Sequence, residues 1–150
     1  MAKNDKINIG NCGEYFVAAE LERRGFSVGV PMSNTPVFDL LAINNKDYSK
    51  QICIQVKTTD KEKPSWSMSK KNEGICGDHI FYVLVRLNGM NQPDYFIVPS
   101  KTVAYEVKTN HQNWLRTPGK KGQAHKDNDV RKFDLPEDSE FRDAWDLLNK

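Results

Sequence analysis

Residues 51–59, QICIQVKTT, carry different kinds of side chain at alternating positions. Successive side chains of a β-strand point to opposite faces of its sheet, so the two faces of this segment differ. The apolar face consists of Ile52, Ile54 and Val56. The opposite face carries Gln55 and Lys57 in a segment that otherwise favours a core. The pattern predicts a strand with one face in the core and polar side chains on the other.

Apolar spacing and turn residues divide the chain into helices and strands. The predicted elements are a helix at 10–24, strands at 26–30, 37–43, 51–59, 79–87 and 94–99, a helix at 101–115 and a last helix at 138–149. The turn NNKDYSK should join two of these strands as a hairpin, and a short element is expected around Trp66. This order predicts an α/β fold, a single domain over residues 1–150 whose mixed sheet has helices on both faces.

The overall charge and the cysteines exclude little by themselves. A net charge of +2 is too mild to indicate a nucleic-acid-binding protein. The sequence has no apolar signal segment at its start, and its longest apolar run, IFYVLV, is too short to span a membrane, so we expect a cytoplasmic protein. Cys12, Cys53 and Cys76 are far apart and odd in number, which predicts reduced thiols rather than disulfides or a closed zinc site.

The aspartate in VFDLLAI needs a partner. Every neighbour of Asp39 in this predicted strand is apolar, and burial of an unpaired carboxylate costs several kcal/mol. A cation of the protein, a bound metal, a backbone cap or exposure at the end of the strand would each compensate the charge. Pairing of the two strands would bring Asp39, Gln55 and Lys57 together at one end of the sheet.

Such a cluster offers oxygen ligands beside an ammonium group. The Asp39 carboxylate, the Gln55 side-chain oxygen and the Val56 carbonyl are ligands that Mg²⁺ accepts, and Glu14 on the first helix is a candidate second carboxylate. The residues alone also allow a simpler interpretation. In that interpretation Asp39 forms a salt bridge with Lys57, and Gln55 and Glu14 lie on solvated surfaces.

Three segments, GNCGEYFVAAELERRGFSV, FDLLA and ICIQVKTT, together resemble the PD-(D/E)XK nuclease superfamily, in particular archaeal-type Holliday-junction resolvases. In that pattern a helix carries a glutamate after a glycine, and a strand carries an aspartate. The next strand carries an acidic residue, any residue and a lysine. The matching positions here are Glu14, Asp39, Gln55 and Lys57. The sequence departs from the pattern at Phe38, where proline is usual, and at Gln55, where the ligand is usually acidic.

The resemblance covers about the first 60 residues and implies a restriction-endonuclease-like fold, in which helices flank a mixed central sheet. It implies a Mg²⁺- or Mn²⁺-dependent endonuclease that cleaves DNA by attack of water on a phosphodiester. Asp39 and Gln55 would bind the metal, Glu14 would bind it directly or through water, and Lys57 would assist the attacking water. Ser33 lies in the loop where the resolvases often have an active-site serine. Gln55 carries no charge, which should weaken metal affinity.

A basic, irregular segment is predicted at about 112–136. Such a glycine-containing loop could follow a phosphate backbone while an aromatic ring stacks on a base. The candidate nucleic-acid contacts are Ser33 in the loop before the second strand and, in the basic segment, Trp114, Arg116, Lys120, Lys121, His125, Lys126 and Arg131. A solvated loop with a packed tryptophan is the alternative.

Two other classes of function stay open at this point. The chain could be a non-catalytic nucleic-acid-binding module that keeps the nuclease fold, with Gln55 marking a degraded metal site. It could also be a small-molecule or protein-interaction domain without a nucleic-acid partner. A nuclease of this size is expected to act as a homodimer, because symmetric cleavage of two strands needs two sites.

Overall fold

The computed structural model describes residues 3–150, which form two α-helices, seven strands and two short 3₁₀ helices. The helices are α1 (Lys3–Arg23) and α2 (Ser100–Arg116). The strands are β1 (Phe26–Gly29), β2 (Leu40–Asn44), β3 (Gln51–Thr59), β4 (Ser65–Ser69), β5 (Ile80–Arg86), β6 (Asp94–Pro99) and β7 (Val130–Asp134). The 3₁₀ helices span Lys70–Glu73 and Trp145–Asn149.

Five strands form a mixed sheet in the order β1, β2, β3, β5, β6. Strands β3 and β5 run parallel, and the other neighbours are antiparallel. The predicted β2–β3 hairpin is therefore confirmed, as is the mixed α/β class. Strands β4 and β7 form a separate antiparallel pair, and β4 lies where a short element was expected around Trp66.

The alternation within β3 divides the core into two clusters. On one face, Ile52, Ile54 and Val56 pack with Val17 and Leu21 of α1. On the other face, α2 and the β4–β7 pair cover the sheet through a second cluster centred on fully buried Phe96 and nearly fully buried Trp66. Gln55 and Lys57 of β3 belong to this second face, because they pair with Tyr82 and Leu84 of the second cluster.

A glycine allows α1 to lie directly on β3. A Cβ atom built on Gly13 would stand 1.8 Å from the Thr58 hydroxyl oxygen and 2.9 Å from its Cβ. No side chain larger than hydrogen fits between helix and strand at this position. The next residue along the helix, Glu14, is thereby held close to the strand ends.

The predicted C-terminal helix at 138–149 is wrong. The segment instead follows the outer edge of β6, where the Ile97 N–H donates to the Phe141 carbonyl and the Asp143 N–H donates to the Tyr95 carbonyl. Asp143 has a φ of 52°, which no α-helix accommodates. Backbone pairing with a free strand edge outweighs the local helical preference, and only Trp145–Asn149 forms a 3₁₀ helix.

The predicted limits of the basic segment and of the first helix also change. Helix α2 continues to Arg116, and Val130–Asp134 forms β7, so irregular backbone is confined to 117–129. Helix α1 begins at Lys3 rather than at Gly10. Within residues 3–150, no helix is both long enough and apolar enough to cross a membrane.

Candidate active site

The site lies where β2 separates from β3. The last antiparallel pair is Leu40 with Ile54, and the Asp39 N–H still donates to the Ile54 carbonyl at 2.8 Å. Beyond this point the Asp39 side chain replaces the missing strand, because its Oδ2 accepts the Val56 N–H at 2.8 Å. Of the compensations that the sequence allowed for Asp39, a backbone cap is therefore present.

The same strand geometry aims a carbonyl at the site. The N–H and C=O of one strand residue point to the same side, so the Val56 carbonyl faces the gap beside Asp39. The neighbouring odd positions turn the other way, toward β5, as the hydrogen bond from the Cys53 N–H to the His79 carbonyl shows. The site thus gains a backbone oxygen that β2 would otherwise have bonded.

These groups line a polar cleft of about 430 Å³. Its lining includes all six residues that the sequence assigned to the metal, the catalytic lysine and the loop serine: Glu14, Ser33, Asp39, Gln55, Val56 and Lys57. Lys71, from the 3₁₀ helix Lys70–Glu73, contributes a second ammonium group. The fold therefore brings the predicted cluster together from α1, the β1–β2 loop, the start of β2 and β3.

Gln55 has the most unusual environment of the residues that line the cleft. It is 6% exposed, and its Oε1 has no hydrogen-bond partner within residues 3–150. Buried amide oxygens are almost always hydrogen-bonded, since leaving one without a partner costs free energy. An unpartnered oxygen beside a carboxylate is the arrangement expected of a ligand for a hard cation.

The charges in the cleft influence one another. Burial, and then the negative charge of Asp39, raise the pKa of Glu14. Burial, and then the positive charge of Lys71, lower the pKa of Lys57, while Asp39 acts in the opposite direction. Both directions favour the neutral forms of groups that ordinarily carry a charge.

The salt-bridge interpretation of Asp39 does not hold. No ion pair joins Asp39 to Lys57 in the part of the chain that the structure describes. Gln55 is likewise buried rather than solvated. The simpler interpretation therefore does not hold for Asp39 or for Gln55.

The donors present fit a hard divalent cation. Two carboxylates, an amide oxygen and a backbone carbonyl are the ligand types that Mg²⁺ and Mn²⁺ accept, together with water. Nowhere in the described chain do three or more His, Cys, Asp or Glu side chains gather as a metal site, so this cluster depends on its neutral oxygens.

The predicted nucleic-acid contacts fall into two groups. Ser33 is exposed at the cleft, whereas the others lie at the end of α2, in 117–129 or on β7. Trp114 stacks with His111 and His125, at centroid distances of 5.5 and 4.1 Å, so its ring is engaged within the protein. Arg116, Lys120, Lys121 and Lys126 are exposed.

Arg131 has a structural role instead. Its side chain is 4% exposed, and its Nε donates to Glu73 at 2.8 Å. The guanidinium group is thus engaged within the protein, and a contact of Arg131 with nucleic acid stays a prediction that this ion pair disfavours.

Lys71 is the charged residue of the cleft that the sequence did not reveal. The segment around it, SKKNEG, has the composition of a loop. Its one local signal is Ser69 followed three residues later by Asn72, whose side chain accepts the Ser69 N–H at 2.8 Å as in a capping box.

Comparison with known proteins identifies the fold. The sequence matches no protein-family model and no curated protein. The structure is similar to that of the bacterial homing endonuclease I-Ssp6803I, with a TM-score of 0.56, 13% identity and coverage of 93% of this chain and 88% of that one. It also aligns with Hjc, a Holliday junction resolvase of Archaeoglobus fulgidus, with a TM-score of 0.49, 14% identity and 83% coverage of each chain.

The chain therefore has a restriction-endonuclease-like fold, as the sequence predicted. At 13% identity the likeness establishes the fold alone.

Proposed function

We propose that this protein is a Mg²⁺- or Mn²⁺-dependent phosphodiesterase that cleaves DNA as an endonuclease. The observation that carries the proposal is the buried Gln55 Oε1, which lacks a partner beside the capped carboxylate of Asp39. Buried amide oxygens are seldom left without a partner. A cation site on a nuclease fold accounts for it.

The residues divide into cation ligands and a cationic group for the substrate. The Asp39 carboxylate, Gln55 Oε1, the Val56 carbonyl and, directly or through water, Glu14 would hold the cation. When bound, the cation neutralises phosphate charge and makes water a better nucleophile. Lys57 lines the same cleft, where its ammonium group would orient the attacking water and stabilise the charge that develops on the phosphate.

The backbone cap on Asp39 supports this division. One carboxylate oxygen accepts the Val56 N–H, which fixes the side-chain rotamer and leaves the other oxygen for a ligand. Preorganisation of this kind lowers the cost of assembling a metal shell. Asp39 would then reach the cation in a single orientation.

DNA cleavage tests the proposal. Plasmid, linear and branched DNA are incubated with Mg²⁺ or Mn²⁺ and the wild-type protein, Asp39→Ala, Lys57→Ala or the control Lys46→Ala, an exposed lysine in the β2–β3 turn. The wild type and the control should cleave at least one substrate, and the other two variants should lose at least about 100-fold in rate. Equal activity in all four proteins would refute the proposal.

One observation favours a second candidate, a non-catalytic nucleic-acid-binding module. Gln55 stands where the resemblance expects an acidic ligand, so the cleft holds two carboxylates rather than three. Calorimetric titration with Mn²⁺ separates the two functions. The enzyme should bind the ion in a manner that Asp39→Asn abolishes, whereas the binding module should show no such dependence.

Two further properties accompany the enzyme proposal. A homodimer would place two sites against the two strands of a duplex, and equilibrium sedimentation with DNA of defined length would measure it. We also propose that the protein works in the cytoplasm, where it would meet both DNA and Mg²⁺.

A further inference from the structure

The 3₁₀ helix Lys70–Glu73 stands between the cleft and α2. Lys71 lines the cleft on one side and, on the other, an open depression of about 610 Å³. The depression is lined by Lys70, Lys71, Glu73, Gly74, Lys108 and Asp129. A molecule that leaves the cleft over Lys71 therefore enters a second, wider surface.

A buried side-chain network fixes this short helix to the main sheet. Asn72 is 0% exposed, and its Nδ2 donates to the Tyr82 hydroxyl at 2.8 Å. Tyr82 is the residue of β5 that pairs with Gln55 of β3. The position of Lys71 is thus set from the same pair of strands that sets the proposed cation ligand.

Two further contacts hold the two ends of the 3₁₀ helix. Glu73 accepts the Nε of buried Arg131 at 2.8 Å, and the Lys70 N–H donates to the Asp129 carbonyl at 2.9 Å. The four residues of this 3₁₀ helix have no apolar core of their own. Two buried polar side chains, Asn72 and Arg131, and one backbone hydrogen bond hold them in place. Ordinary surface turns do not need such support.

The depression has an excess of positive charge. Lys70, Lys71 and Lys108 are exposed, and no ion pair involves any of them within residues 3–150. Of the two acidic residues, Glu73 is neutralised by Arg131. Asp129 thus faces three ammonium groups, which leaves the surface suited to an anion with more than one charge.

We propose that Lys71, Lys70 and Lys108 form a phosphate track that receives the polynucleotide strand as it leaves the cleft. The proposal rests on the proposed function, and it names the substrate of that site as a continuous strand rather than a small phosphate ester. Lys71 contacts the phosphate next to the one under attack, and Lys70 and Lys108 contact phosphates beyond it. The strand passes toward α2, not along the basic loop 117–129.

Binding measurements without divalent metal test the track separately from catalysis. Fluorescence anisotropy of a labelled DNA duplex is measured in EDTA over a range of salt concentrations. The variant Lys70→Ala/Lys71→Ala/Lys108→Ala is compared with Lys120→Ala/Lys121→Ala/Lys126→Ala, which removes equal charge from the loop 117–129. All six lysines are exposed, so both variants should keep the wild-type melting temperature.

The track variant should bind at least about tenfold more weakly, and its salt slope should fall by about 0.9 for each phosphate contact removed. The loop variant should lose less than about threefold. An equal or greater loss in the loop variant, an unchanged track variant, or a wild type that binds no DNA would overturn the track.

Failure of the track and failure of catalysis have different signatures. Loss of binding in the track variant of a protein that never cleaves DNA would support the track and refute the nuclease. Cleavage by the wild type, together with unchanged binding by the track variant, would refute the track alone.

Discussion

Asp39 caps Val56: the carboxylate of one accepts the backbone N–H of the other at 2.8 Å, across two strands that have just separated. This contact explains how an aspartate surrounded by apolar residues is tolerated, since one oxygen is bonded and the other faces a polar cleft. It also exposes the Val56 carbonyl at the same point. The separation of β2 from β3 is therefore what creates the site.

The contact between α1 and β3 should be sensitive to one methyl group. Gly13→Ala places a Cβ within 1.8 Å of the Thr58 hydroxyl oxygen, which should cost about 1–3 kcal/mol in the free energy of unfolding and displace Glu14. Gly10→Ala in the same helix meets no atom within 4 Å and should be neutral, or stabilising by up to about 1 kcal/mol. Urea denaturation of both variants measures the difference, and equal stability would contradict the close approach.

A carboxylate at position 55 should strengthen the cation site. Gln55→Glu adds a negative charge beside Asp39 and Glu14, so calorimetry should show Mn²⁺ binding at least about tenfold tighter, or about 1.4 kcal/mol. Without metal the variant should be less stable than wild type, because three carboxylates repel one another. Gln55→Met, which has a similar volume and no amide oxygen, should bind Mn²⁺ more weakly. Unchanged affinity in both variants would show that position 55 is not a ligand.

The support of the 3₁₀ helix Lys70–Glu73 should be measurable as stability. Asn72→Ala removes both the acceptor of the Ser69 N–H and the donor to the Tyr82 hydroxyl, which should cost about 1–3 kcal/mol. Tyr82→Phe removes the second of these hydrogen bonds alone and should cost less. If the two changes act through this contact, the double variant should be less destabilised than the sum of the single variants.

Asp94 should contribute to stability above acidic pH. Burial acts to raise its pKa, but hydrogen bonds from Asn88 and Arg86 and the charge of Arg142 outweigh it, so the pKa is lowered in the folded state. A lowered folded pKa stabilises the protein above the unfolded value of about 3.9, and the contribution is lost as pH falls below that value. Asp94→Asn should lower the free energy of unfolding by about 1–3 kcal/mol at pH 7.

The difference between wild type and Asp94→Asn should shrink as the pH is lowered from 7 to about 2, measured by urea denaturation at each pH. A difference that stays constant over this range would contradict the ionic role of Asp94.

The sequence predicted the parts of the site that depend on strand alternation. Gln55 and Lys57 lie on one face because side chains alternate, and the hairpin brings Asp39, just before its last pair Leu40 with Ile54, to the same cleft. Glu14 was a candidate from its place on the first helix, and the family resemblance also matched it. Its place in the cleft depends on Gly13, because only glycine lets α1 lie directly on β3 at this position. The sequence alone does not show this contact.

The parts that the sequence missed depend on contacts between distant segments. The helical spacing in 138–149 is real, but pairing with the edge of β6 decides the backbone there. Lys71 lies at the cleft because the neighbouring Asn72 donates a hydrogen bond to the Tyr82 hydroxyl. Arg131 is buried because its guanidinium group pairs with Glu73. Neither contact leaves a local pattern in the chain.

The central claim is that a divalent cation binds where β2 leaves β3. Diffraction from crystals soaked in Mn²⁺, collected where manganese scatters anomalously, tests it most directly. We predict an anomalous peak within coordinating distance of the Asp39 carboxylate, Gln55 Oε1 and the Val56 carbonyl, and no such peak in Asp39→Ala crystals. An empty cleft in the wild type at saturating Mn²⁺, or the same peak in Asp39→Ala, would contradict the claim.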